Sequence, residues 1–221
     1  MKLCGIFLAG AAACLLATGA NAQSRGTGWE FGADLIYQGS QDVDFDGGST
    51  ASFQDDIGVS LFAGYRLNDR LEFHFGLDWA TVDYDATIPF QIGTGPIGSI
   101  GVKGDMEAFT PRVDANFNFM EGPFTPYITA GIGYSFIDTN IPNGPPQGAC
   151  WWDPWFGNVC STYQPTKSTD AFTYDVGLGV RWDMSPGYSM RLAYEKHWLD
   201  VSTASSAPDF DQFKLGIIFR Y

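Results

Sequence analysis

Few side chains of this 221-residue sequence fall in patterns that do chemistry, and the first such pattern is acidic. Asp42-Val-Asp44-Phe-Asp46-Gly47 sets carboxylates at alternate positions before a glycine, as the opening of a calcium loop does. The twelfth position of such a loop would be Phe53, so the bidentate glutamate is missing. A solvated acidic loop is therefore the plainer reading of Asp42, Asp44 and Asp46, with Ca²⁺ as the alternative; no other cofactor motif is present. The second pattern is Cys150-Trp-Trp-Asp-Pro-Trp-Phe-Gly-Asn-Val-Cys160, in which Trp151, Trp152, Trp155 and Phe156 crowd between two cysteines. It reads either as a presented knob that recognises a ligand, partner or lipid, or as a loop packing its own aromatics. The histidines are two, His74 and His197. The remaining chemistry is charge: 12 basic against 25 acidic residues, a net −13, which excludes a nucleic-acid partner because phosphate neutralisation needs a basic face.

The elements that position these residues begin with an address. Lys2, an apolar stretch from Leu3 to Ala17 and the small-residue end Ala20-Asn21-Ala22 form a secretory signal peptide, residues 1–22, expected to be cut before Gln23. Cys14 after three alanines leaves a lipoprotein alternative, which the apolar Leu15 and Leu16 disfavour. In the oxidising compartment beyond, Cys150 and Cys160 have no metal-type partners around them and read as a disulfide. Closing so short a loop is worth about 3 kcal/mol on the chain-entropy account.

Residues 23–221 form one domain of eight segments with period-two alternation: Trp29–Tyr37, Ile57–Tyr65, Leu71–Trp79, Phe109–Phe119, Ile128–Phe136, Phe172–Trp182, Tyr188–Trp198 and Phe213–Tyr221. Short links (Leu67–Arg70, Met120–Thr125, Met184–Gly187) alternate with long ones (Gln38–Gln54, Thr87–Gly104, Asp138–Ser168, Val201–Pro208). After the N-terminus no apolar run approaches the roughly 20 residues of a membrane helix. Even strand number and alternating connection length predict an all-β fold, an eight-stranded antiparallel up-and-down transmembrane β-barrel. Short turns would be periplasmic, with both termini, and long loops extracellular.

A soluble lipocalin-like barrel would hide its apolar face inside, so the direction of that face has to be argued. Aromatics on the apolar face sort to the strand ends. Trp29, Tyr65, Phe119, Trp182, Tyr188 and Tyr221 fall at one level, and Tyr37, Tyr134, Phe136, Phe172, Tyr174 and Trp198 at the other. Two aromatic girdles are what a bilayer selects. The apolar face therefore meets lipid.

The ending carries a family resemblance. Phe213, Leu215, Ile217, Phe219 and Tyr221, at alternate positions, look like the C-terminal signature of outer-membrane β-barrels. Pro126-Tyr-Ile-Thr-Ala-Gly-Ile-Gly-Tyr134 is similar to a strand of the small OmpA, OmpX and OmpW-like barrels. The resemblance implies the Gram-negative outer membrane as location, with membrane lipid and lipopolysaccharide as surroundings. It also implies the barrel-assembly machinery as a partner in biogenesis and leaves any surface ligand unnamed. The sequence stops at the eighth segment, without the peptidoglycan-binding domain of OmpA, so wall anchoring is not expected. Some barrels of this kind act on lipids through a histidine with a nearby serine. Here His197 is followed by Trp198 and Leu199, and both histidines lie on the polar face, so no enzyme is expected.

Eight strands enclose a space that side chains fill. The leading expectation is a structural, surface-interaction barrel with a largely plugged, charged lumen; the alternative is a narrow porin-like channel or carrier for small solutes. The plug should be an ion network. Arg66, Arg181, Arg191 and Arg220 should meet Glu30, Glu72 and Asp183 near the turns. Arg112 and Lys214 should meet Asp114, Asp175 and Glu195 at mid-height, with Asp34 and Asp78 on the same inward face.

Overall fold

The computed structural model describes residues 26–44, 48–91, 97–143, 145–201 and 208–220. The signal peptide, Asp46 and Tyr221 lie outside them.

The eight alternating segments form strands β1 (Gly28–Gln38), β4 (Asp56–Arg66), β5 (Leu71–Gln91), β6 (Ile97–Asn118), β7 (Phe124–Pro142), β10 (Thr166–Asp183), β11 (Tyr188–Asp200) and β12 (Asp209–Arg220). Each pairs antiparallel with its neighbours, and β1 pairs with β12, so the sheet closes on itself as an eight-stranded barrel. Closure follows from the pattern, since a strand that is apolar on one face only gains nothing from a second covering layer when its outer face meets lipid. Among the described residues no helix is long and apolar enough to cross a membrane.

Orientation of the faces is unambiguous. Phe31, Leu35, Val59, Phe75, Ile132, Leu178, Leu192 and Leu215 are exposed around the outside, whereas Glu30, Glu72, Arg112, Asp175, Arg181 and Lys214 are buried. A water-soluble barrel would show the reverse. The outward aromatics pair at both levels: Trp29 against Tyr65 at 5.0 Å near the short turns, and Tyr174 stacked on Trp198 at 5.2 Å near the other end.

Three of the long connections are more ordered than the sequence led us to expect. The stretch 38–54 contains a hairpin of β2 (Gln41–Asp44) and β3 (Thr50–Phe53), and β3 continues onto β5. β5 and β6 stay paired from Leu71↔Phe117 to Gln91↔Ile97, far past the length that crosses a bilayer. Between β7 and β10 stands a separate hairpin, β8 (Gln147–Asp153) and β9 (Gly157–Tyr163). Outside the bilayer neither face of a ribbon must be uniformly apolar, so backbone pairing persists where the period-two signal fades.

Candidate functional site

The inward side chains divide into layers along the barrel axis. Nearest the short turns, Arg181 of β10 reaches across the lumen. It donates from Nη2 to Glu30 of β1 at 2.9 Å, from Nη1 to Glu72 of β5 at 2.8 Å, and from Nε to Asp183 at 3.1 Å. Arg66 stands 3.4 Å from Glu30, and Arg220 meets Asp183. Asn118 donates to Glu72 at 2.8 Å. Glu30 is fully buried, which a carboxylate tolerates only when its charge is matched and its oxygens are bonded.

His74 sits at the top of this layer. Arg191, which has only donors, bonds its Nδ1 at 2.9 Å, so Nδ1 accepts and Nε2 is left to donate to Glu30 at 3.0 Å. Arg191 in turn donates to Asp34 at 2.8 Å and lies 4.0 Å above the ring of Phe62, which stacks on His74. Glu30, Glu72 and His74 approach closely enough to resemble a metal triad, but Arg181 and Arg66 already occupy their charge.

The second layer is centred on Arg112 of β6. It bonds Asp114 at 2.8 Å and Glu195 at 3.2 Å, and it reaches Asp78 at 3.4 Å and Asp175 at 3.8 Å. Lys214 of β12 joins Glu195 at 2.8 Å and Asp78 at 3.4 Å. The structure thus brings the inward charges into two groups. Asp34 joins the one near the turns, and Asp78 the one at mid-height. Above them Ile137, Ala171, Leu199 and Phe210 form a small apolar layer beneath the long hairpins. At the mouth Ile137, Leu199 and Phe210, with Phe53, Tyr84 and Met106, border a cavity of about 510 Å³.

Among the described residues, the buried apolar side chains Phe62, Tyr127, Ile36 and Ile218 beside the ion layers escaped the sequence reading. Two of them have a signal in hindsight. Phe62 is aligned with Gly32 and Tyr127 with Gly179, and a methyl on either glycine would fall 2.2 Å and 2.6 Å from those rings. A large inward residue beside a glycine on the next strand is a packed pair.

Outside the membrane span, Cys150 and Cys160 are disulfide-bonded across β8 and β9. Trp152, Trp155 and Phe156 are 74%, 89% and 83% exposed at the tip, with Trp151 half-exposed beside them. The tip is shaped by Asp153, whose carboxylate accepts from the backbone of Trp155 and Phe156 at 2.8 and 3.0 Å. Asp42 and Asp44 lie two residues apart on β2, extended and aligned with Ser52 and Thr50 of β3.

With inward charge and outward apolar surface established, the family comparison is decisive. The model of the family described as "Outer membrane protein beta-barrel domain" matches residues 10–220. The chain belongs to this family. It is similar to outer membrane protein A of Escherichia fergusonii, 24% identical over 210 residues that cover 93% of this chain and 52% of that protein. Outer membrane protein A of Klebsiella pneumoniae is likewise 24% identical, over 91% of this chain and 53% of its own length. The chain therefore spans about half the length of these curated relatives. Among solved structures, Neisserial surface protein A superposes with a TM-score of 0.55 at 14% identity, covering 89% of this chain and 99% of that one, a likeness of fold. The chain is an outer-membrane β-barrel.

Proposed function

We propose that this barrel works by holding and presenting surface rather than by passing solutes or turning over a substrate. The observation that carries the reading is the disulfide-clipped β8–β9 hairpin, whose Trp152, Trp155 and Phe156 stand almost free of the protein. Large aromatic side chains held rigidly in water are suited to contact, since they bury much area at little entropic cost. The hairpin end faces away from the cell, and the short turns and both termini of the chain face the periplasm. Lipid and lipopolysaccharide surround the barrel, and the barrel-assembly machinery reads the strand from Phe213 to Tyr221.

The two ion-paired layers support a lumen closed to anything larger than water. Arg181 and Arg112 each span the interior between carboxylates of different strands. The two inward histidines support binding over catalysis, because His74 is committed to Glu30 and Arg191 and His197 is buried.

Deleting residues 147–163 tests the reading. Folded yield, judged by heat-modifiable gel migration, should be unchanged, and adhesion of expressing cells to lipid-coated and protein-coated surfaces should fall. Equal adhesion would refute the presenting role. Planar-bilayer recordings should show no discrete openings. Openings that vanish on replacing Arg112 would establish the narrow channel or carrier instead.

A further inference from the structure

The two charged layers differ in one respect that their geometry makes quantitative. Near the turns, Glu30, Asp34, Glu72 and Asp183 are matched one for one by Arg66, Arg181, Arg191 and Arg220. At mid-height, Asp78, Asp114, Asp175 and Glu195 are ion-paired, among the described residues, with Arg112 and Lys214 alone. The other inward polar groups described at that height include Ser60, Thr110, Ser135, Thr173, Gln38, Gln212 and His197, which bring no fixed positive charge. Two negative charges are left over inside a closed barrel. Burying an unmatched carboxylate is among the costliest things a fold can do.

The surplus has a location. Asp114 on β6 and Asp175 on β10 are both aligned with Gly131 on the strand between them. Their carboxylates converge over that glycine: a methyl there would lie 2.1 Å from Asp114 Oδ1 and 2.7 Å from Asp175 Oδ1. Asp114 and Asp175 are 4% and 2% exposed, and Asp114 Oδ1 and Asp175 Oδ2 are buried without a hydrogen-bond partner. Arg112 satisfies the other oxygen of Asp114 and stands only at 3.8 Å from Asp175. The charge count puts the surplus at mid-height, and within that layer the unbonded oxygens fall on this pair. A cavity of about 50 Å³ bordered by Gln38, Asp78, Gln212 and His197, the last aligned with Asp175 on the neighbouring strand, has room for water at this height.

We propose that Asp114 and Asp175 bind a divalent cation over Gly131. All the donors are carboxylate or water oxygens, which selects a hard ion of the calcium or magnesium class over a thiolate- or imidazole-seeking metal. One such ion cancels the surplus of two and ties β6 to β10 across β7. This site is separate from the acidic stretch on β2.

The test uses the whole barrel folded in micelles, stripped with chelator and titrated with Ca²⁺ and, separately, Mg²⁺. Calorimetry and the unfolding midpoint are read together. One ion should bind per chain and the midpoint should rise. Asp175→Asn, which keeps shape, should weaken binding at least about tenfold. The double variant Asp42→Asn/Asp44→Asn should bind as the parent does. Binding untouched by Asp175→Asn, or lost only in the β2 variant, would overturn the proposal. So would absence of binding by the unaltered barrel, which needs no variant to fold. Stability that ignores both metals but rises as pH falls would assign the surplus to protons, and would overturn it equally.

Discussion

Replacing Arg181 by methionine should destabilise the barrel by about 3 kcal/mol, toward the lower end of the range for breaking a buried pair by removing one partner. The structure sets the figure. Arg181 bonds Glu30, Glu72 and Asp183, and its loss leaves the layer near the turns one negative charge in excess. Glu30 keeps His74 at 3.0 Å and Arg66 at 3.4 Å, and Glu72 keeps Asn118 at 2.8 Å, so neither carboxylate is wholly stranded. That residual bonding argues against the upper end of the range. Urea unfolding in lipid vesicles, followed by tryptophan fluorescence and gel migration, measures the loss. Adding Glu72→Gln to Arg181→Met should recover at least about 1 kcal/mol, because the excess charge is gone. The control is Arg70→Met, which breaks a 3.1 Å pair with Glu121 where both side chains are more than half exposed, and should cost less than about 1 kcal/mol. If Arg181→Met falls within the control's range, the lumen network does not hold the barrel together.

Protein taken from the outer membrane should show no free thiol at Cys150 or Cys160 without reductant; labelling there would contradict the clipped hairpin. Trp155→Ala with Phe156→Ala should lower surface adhesion while leaving folded yield as it was, since neither ring is packed. Deleting Tyr221 or changing it to Asp should lower outer-membrane yield and leave degradation products in the periplasm, with equal folded yield as the refuting result. Gly32→Val should destabilise by at least about 1 kcal/mol, because its Cβ would fall 2.2 Å from the Phe62 ring; unchanged unfolding would mean that Phe62 has space to move.

Strand number and facing were legible because a bilayer imposes one rule on every crossing: apolar outward at alternate residues, as in Phe172, Tyr174, Val176, Leu178, Val180 and Trp182. Parity alone therefore places Arg181 inside and Trp182 outside. Height along each strand, counted from the turns, was enough to place Arg220 beside Asp183 and Arg112 beside Asp114. Which partner each arginine chooses across the lumen was not legible, because that depends on rotamers and on neighbours like Phe62 that break the polar face. The choice of Asp34 by Arg191 instead of Glu30, Glu72 or Asp183 is of this kind. Nor was the pairing of β5 with β6 beyond the membrane, where water satisfies unpaired and paired backbone alike and the side-chain pattern carries no constraint. The β2–β3 hairpin was hidden for the same reason.

The pairing of β1 with β12, from Glu30↔Arg220 to Gln38↔Gln212, makes strand order a cycle. A ring has no first member. Gly28 and Arg220 end neighbouring strands at the same rim, so a short linker could join them while the chain is cut at the tip of another hairpin, and every ladder would survive. A circular permutant opened between β8 and β9 should therefore reach the same architecture by a different order of synthesis. The native order matters for a different reason: the seam that completes the ring joins the two strands farthest apart in sequence. Such a fold cannot close until β12 has been made, and until then both of its edges lie open.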